Sequence, residues 1–256
     1  MSDSVLLDIT DGLARITLNR PASLNAVDAE MAGRWRAVAL QVAADPSVGA
    51  VLLDAAGSAF CAGGDVVHMA RSGEGGAAVT KLAEVINEGI RALVASATPV
   101  VAAVEGAVAG GGLGLMLTAD YVVASASARF VSKYADIGLT PDLGTSTLLA
   151  RAVGERRALQ LLLSDRSLDA GTALDWGLVT EVVPPEDVAA RAEEVARAWL
   201  DGATAAFGQA KRLVRAGASR PFVESLADEA ATIGRAFDTE VSRVRVAAFA
   251  ARSRRH

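Results

Sequence analysis

Three loops of this chain hold the residue types that can do chemistry: CAGGD at 61–65, AGGGLG at 109–114 and GLTPDLGTS at 138–146. The first two are glycine clusters, Gly63 and Gly64 in one and Gly110, Gly111, Gly112 and Gly114 in the other. Neither is a nucleotide fingerprint, because residues 110–117 lack the G-x-G-x-x-G spacing and no Gly-Lys-Ser/Thr closes either loop. Glycine there serves either close backbone packing or the presentation of bare N–H groups to a ligand. Both loops read as leading into helix N-termini, where donors are orphaned and the helix dipole is positive. Two such loops aimed at one point make an oxyanion hole. The third loop sets a single acid, Asp142, between Pro141 and Gly144. Turn chemistry alone accounts for proline, aspartate and glycine in that order. A carboxylate facing bare amides would have a second use, as an acid/base.

Other chemistries fall away by elimination. The two histidines are His68, at the start of an expected helix, and His256, the last residue, so a Ser-His-Asp triad is not expected. Ser146, in GTSTL, is not a G-x-S-x-G elbow. Cys61 reads as a small buried filler, since no histidine or lysine adjoins it in sequence. No cluster of His, Cys or acids has metal-ligand spacing, so no metal is expected. Two further acids rival Asp142. Asp120, in TADYVV, is expected to satisfy local backbone donors, and Asp136, in YADIG, is a minor alternative.

The elements that must position these loops can be traced along the chain. VLLDIT and LARITLNR flank an Asp-Gly pair, the signal of a tight hairpin. A helical pattern follows through SLNAVDAEMAGRWRAVALQVAAD, then a buried strand in VGAVLLDAAG, with SAFCAGGD read as a loop. AVTKLAEVINEGIRALVAS is helical, Pro99 precedes a strand in VVAAVEG, and AVAGGGLGLMLTAD reads as a glycine-rich turn feeding a short buried helix. Strands in YVVAS and ARFVS precede Asp142. From GTSTLLARAVGERRALQLLL onward the pattern is helical except for one strand in GLVTEVV, and the last seventy or so residues read as all-helical. This is an α/β chain: a core over 1–185 with a helical region over 186–256 that docks on itself or on a neighbouring subunit.

Composition is consistent with that. The 256 residues are 52% hydrophobic, enough for a substantial core. A net charge of −5 and a pI near 5.2 supply no general attraction to nucleic acid or an anionic membrane. The single cysteine excludes an intramolecular disulfide, and MSDSVLLDITDG has no signal-peptide pattern, so a cytoplasmic protein with no membrane span is expected.

Five segments then carry a resemblance. LNRPASLNAV, SAFCAGGDV, AVEGAVAGGGLGLMLTADYVVASASARF, IGLTPDLGTSTLL and ALDWGLVTEVV stand in the order and spacing of the enoyl-CoA hydratase/isomerase (crotonase) superfamily. The resemblance implies a crotonase spiral of strand-strand-helix units with a C-terminal helical trimerisation region, assembled as a homotrimer or a dimer of trimers. It implies an acyl-CoA thioester as substrate, with CoA part of the substrate and no separate cofactor. It places the two oxyanion donors on the backbone N–H groups of Gly64 and Gly111, each such donor typically worth about 3–4 kcal/mol. Leu24, Ala26, Ala62, Asp65 and Val66 match segments lining the CoA channel, although Asp65 is equally suited to be a helix N-cap. Phe249 and Arg252 resemble an aromatic and a basic position that reach the nucleotide, commonly from a neighbouring subunit.

The sequence also departs from the hydratase pattern. A hydratase of this family uses two glutamates to hold and activate water. Their positions fall here on Gly114 and Tyr134. A tyrosine can hydrogen-bond a ligand but is a poor base near neutral pH, with a reference pKa of about 10. Isomerase branches of the family, including those resembling the phenylacetate-pathway ring isomerase, carry a PDxG aspartate as the proton shuttle, and Asp142 matches it. The expectation is therefore an acyl-CoA isomerase acting through a thioester enolate, with Asp142 as acid/base and Gly64 and Gly111 as the oxyanion hole. The alternatives are a hydratase whose water is held by Tyr134, Asp136 or Asp142, and a catalytically silent acyl-CoA-binding protein.

Overall fold

The computed structural model describes residues 3–73 and 75–253; His256 lies outside them. The chain opens with a hairpin of β1 (Val5–Thr10) and β2 (Leu13–Leu18), paired from Val5↔Leu18 to Thr10↔Leu13. Its turn residues Asp11 and Gly12 both have positive φ, 52° and 79°, the combination that an Asp-Gly hairpin turn needs. Helix α1 (Ala29–Ala44) is capped by Asp28, whose carboxylate accepts the Met31 N–H at 2.9 Å.

Three units then repeat one plan. Strand β3 (Ala50–Ala55) is followed by β4 (Ala59–Cys61), then helices α2 (Val66–Ser72) and α3 (Gly76–Ala95). Strands β5 (Val100–Val104) and β6 (Ala107–Ala109) are followed by α4 (Gly111–Met116). Strands β7 (Tyr121–Ser125) and β8 (Arg129–Val131) are followed by α5 (Thr145–Val153) and α6 (Glu155–Leu162). Each unit gives one strand to each of two sheets. With β9 (Ser167–Asp169), α7 (Ala170–Trp176) and β10 (Glu181–Val183), the six-stranded sheet runs β1-β2-β3-β5-β7-β10 and the four-stranded one β4-β6-β8-β9. Apart from the β1–β2 and β8–β9 pairs, every pairing is parallel. This is the expected α/β spiral.

Both faces of the large sheet are covered, which is why its inner strands read as unbroken apolar runs. Val51 and Leu53 face the main core with Trp35 and Val38 of α1 and Leu93 of α3. Ala50 and Leu52 point the other way, against Val188, Ala192 and Val195 of α8 (Val188–Asp201). Helices α9 (Thr204–Gly217), α10 (Phe222–Phe237) and α11 (Glu240–Ser253) complete the described residues. Lys211 anchors α9 to the body. Its buried ammonium donates to the carbonyls of Leu93 and Thr98, both at 2.7 Å, and pairs with Asp120 at 3.1 Å. Asp120 also accepts the Val100 N–H at 2.9 Å and pairs with Arg215, so its role is structural, as the sequence predicts. Phe222, Ile233 and Phe237 on α10 and Val244 and Phe249 on α11 remain exposed.

Three strands differ from the sequence reading. SAFCAGGD is not all loop, since Ala59–Cys61 is β4; the glycine-rich turn begins only after β6; and β9 interrupts a stretch expected to be helical. Each has three residues, too few for an alternation to show. Among the described residues no helix is long and apolar enough to cross a membrane.

Candidate active site

The two glycine loops converge because β4 and β6 are parallel neighbours, paired at Ala59↔Ala107 and Cys61↔Val108, so both chains leave the small sheet at the same end. They touch there. A Cβ on Gly63 would stand 2.9 Å from the Ala109 carbonyl oxygen and 3.2 Å from the Gly111 nitrogen. Gly63 is in the left-handed region, φ 94°, where a side chain is strained in any case.

Each loop frees one amide. Gly64 bridges Val27 in parallel fashion, but the bonds run from Val27 N–H to the Gly63 carbonyl at 2.7 Å and from Asp65 N–H to the Val27 carbonyl at 3.0 Å. The Gly64 N–H, between them, turns to the other side. Gly111 opens α4, so no carbonyl lies one turn back for its N–H. Neither amide has a hydrogen-bond acceptor among the described residues, and both glycines line a cavity of about 550 Å³. Two donors so placed can hold a developing negative charge.

Asp142 reaches the same cavity from the third loop. Leu143 and Gly144 both take positive φ, 51° and 76°, and the Asp142 carbonyl accepts the Thr145 N–H at 2.8 Å, which closes the turn into α5. The Asp142 Oδ1 lies 3.4 Å from where a Gly111 Cβ would be, so acid and amide are neighbours. Tyr134, buried, donates its phenol to Oδ1 at 2.6 Å, and its Oη is 3.4 Å from Thr145 Oγ1. Burial pushes the Asp142 carboxyl above the usual range, and the Tyr134 hydrogen bond pulls back against it. Burial and then the adjacent Asp142 charge push the Tyr134 phenol up, so the tyrosine stays a donor.

The Gly114 position is closed. A Cβ there would run into the Leu143 carbonyl oxygen, with the Leu143 carbonyl carbon only 3.0 Å away. The backbone next to Asp142 fills the space in which a residue-114 side chain would begin. Asp136 lines the cavity but is exposed and paired to Lys133 at 2.6 Å. Cys61 is fully buried, donates to the Asn25 carbonyl at 3.1 Å, and has its thiol pushed up to about 12 by burial.

The expected CoA-channel residues share a second groove, of about 610 Å³. Leu24, Ala26, Ala62, Asp65 and Val66 all line it, and Ala62, Gly64 and Val66 also line the first cavity. Asp65 accepts the His68 N–H at 3.0 Å, capping α2, and pairs with Arg20 at 3.2 Å. The His68 amide is the main cause of a carboxyl held below its ordinary value. Phe249 and Arg252 sit on the last helix and line neither the groove nor the cavity.

Sequence reading missed other lining residues. Thr80, Ala83, Glu84 and Asn87 form one face of α3 toward the cavity, a helical spacing that carries the signal once α3 is known to flank the glycine loops. Arg71 and His68 line the groove. The Tyr134–Asp142 bond had no sequence signal, because the turn at Gly138 lies between its partners.

Comparison with known proteins places the chain in a family. The family model described as enoyl-CoA hydratase/isomerase matches residues 8–256. A Rhodobacter capsulatus protein named "Probable enoyl-CoA hydratase" is 38% identical over 235 residues, covering 89% of this chain and 87% of its own. The 1,2-epoxyphenylacetyl-CoA isomerase of Escherichia coli is 34% identical over 216 residues, covering 84% and 82%. The crystal structure of an enoyl-CoA hydratase from Mycobacterium smegmatis superposes with a TM-score of 0.90 at 29% identity, covering 97% of this chain and 96% of its own.

Proposed function

The chain belongs to the enoyl-CoA hydratase/isomerase family, and from that premise we propose that it is an acyl-CoA isomerase moving a double bond between the β,γ and α,β positions, or rearranging a related ring or epoxide thioester. The observation that carries this reading is the pairing of one half-buried acid, Asp142, with two amides that have no acceptor among the described residues, while the Leu143 backbone excludes a side chain from Gly114. One carboxylate suffices for a proton shuttle, whereas hydration needs one group to hold water and another to deliver the proton.

The Asp142 carboxylate takes a proton from the α carbon, and the C–H electron pair flows into the thioester, whose oxygen becomes anionic. The Gly64 and Gly111 N–H groups hold that charge. The resulting dienolate then takes the same proton from Asp142 at the γ carbon, leaving the double bond in conjugation. With Oδ1 engaged by Tyr134, the other carboxylate oxygen carries the proton. CoA follows the groove from Leu24 to Val66 as part of the substrate, with no separate cofactor. Phe249 and Arg252 reach it from a neighbouring subunit, and the exposed apolar side chains of α10 and α11 support a homotrimer or dimer of trimers.

The test is a direct comparison of 3-hexenoyl-CoA isomerisation and crotonyl-CoA hydration by the same preparation. Isomerisation is expected to exceed hydration by at least about 100-fold, the scale of one missing acid/base. The reverse order would establish the second reading, a hydratase, which the hydratase names among the relatives and the cavity-lining Glu84 and Asp136 favour.

The pH dependence follows from the same geometry. A base works when ionised, so the rate rises with pH through the raised Asp142 pKa. In Tyr134→Phe the donor that lowers this pKa is gone, and the rising limb moves to higher pH. A limb that stays in place while the rate falls would mean that the phenol acts on substrate instead.

A further inference from the structure

Beside the active-site cavity lies a second one, of about 450 Å³, between α1, α2 and α3. The two cavities share Met69 and Val79. Met69 lies against the glycine loop, its Cε 2.9 Å from where a Gly64 Cβ would be. Beyond it the wall is formed by small and aliphatic residues, among them Ala32 and Gly33 of α1 and Leu82 and Val85 of α3. Of the charged groups at its edge, Asp28 and Asp65 are tied to Arg20, and Arg36 pairs with Glu88 at 3.8 Å. His68 and Lys81 are exposed, which leaves the interior apolar.

We propose that this second cavity receives the distal methylenes of long-chain acyl thioesters, with Met69 as the movable partition that sets chain length. The inference rests on the acyl-CoA reading of the adjoining site. A methionine side chain has three rotatable bonds and no branch, so it moves aside with little strain. An acyl chain pinned at its thioester by Gly64 and Gly111 and passing Met69 enters an apolar compartment within the size range of ligand pockets.

Gly33 supplies the test, because a Cβ there meets nothing within 4 Å, so Gly33→Leu fills the compartment without touching Gly64, Gly111 or Asp142. Calorimetry with dodecanoyl-CoA, butanoyl-CoA and free CoA requires no turnover. The expected result is dodecanoyl-CoA weakened by about tenfold or more, with butanoyl-CoA and CoA unchanged. Met69→Ala is expected to act oppositely and tighten dodecanoyl-CoA relative to butanoyl-CoA. Unchanged dodecanoyl-CoA binding in Gly33→Leu would overturn the proposal, and so would equal weakening of all three, which would assign the cavity to the CoA moiety. If butanoyl-CoA binds no better than CoA in the wild type, the acyl-CoA reading itself fails, a result separable from the chain-length one.

Discussion

Asp142→Asn is expected to lose isomerisation by about 10²–10⁴-fold while still binding acyl-CoA and keeping its fold. The amide is nearly isosteric and still offers an oxygen to the Tyr134 phenol at the Oδ1 position, so the turn into α5 is kept. What disappears is the ability to accept a proton. Stability has a definite sign as well. The folded state raises the Asp142 pKa, so it binds that proton more tightly than the unfolded chain does. Stability from this group is therefore full below the unfolded pKa and declines as pH rises toward the folded one. At neutral pH the ionised carboxylate opposes folding, and a neutral amide relieves it. The melting temperature of Asp142→Asn at pH 7 should be no lower than that of wild type. Exchange of the α protons with deuterated solvent, followed on a saturated acyl-CoA, isolates the first proton transfer. Wild-type exchange rates in the variant would remove Asp142 from the mechanism and point to Glu84.

The convergence of the glycine loops was legible only in part. Glycine composition and the Asp-Gly hairpin stand openly in the sequence, as does the single acid of the third loop. The order of strands that brings the loops together does not, because β4 and β6 have three residues each and are defined by their pairing. Asp65 offered two readings. The structure gives the cap directly, through the His68 N–H, and also seats the residue in the groove. In sequence, Tyr134 stands where the hydratase pattern has a glutamate and can donate to a ligand. Its observed partner is Asp142, across a 3₁₀ turn and the left-handed Gly138, with a second left-handed residue, Leu143, just beyond the acid, and no periodicity encodes these conformations. Gly114 shows the largest gap. An absent side chain looks the same in sequence whether its place stands empty or is filled.

That difference makes Gly114→Glu the second decisive variant. If only the acid had been lost, restoring it would move the protein toward hydration. The geometry predicts the opposite, because the Cβ alone collides with the Leu143 carbonyl, before any carboxylate is placed. Gly114→Ala isolates this effect. In a helix interior alanine is favoured over glycine by about 0.8–1 kcal/mol, so propensity predicts a gain. Overpacking a tight core costs about 1–3 kcal/mol, and contact with a fixed backbone carbonyl belongs at the upper end, so the net is a loss. For a chain of this size each kcal/mol lowers the melting temperature by about 2–4 °C. Leu143 adjoins Asp142, so displacing its carbonyl also moves the acid off its Tyr134 partner, and both variants should lose isomerisation more steeply than stability. A stable Gly114→Glu protein that hydrates crotonyl-CoA would show that the 142–144 segment yields and that Gly114 is merely a lost acid. A destabilised protein with neither activity would mean that the backbone carrying Asp142 has taken the space of the first hydratase acid, so that the two chemistries exclude each other by packing.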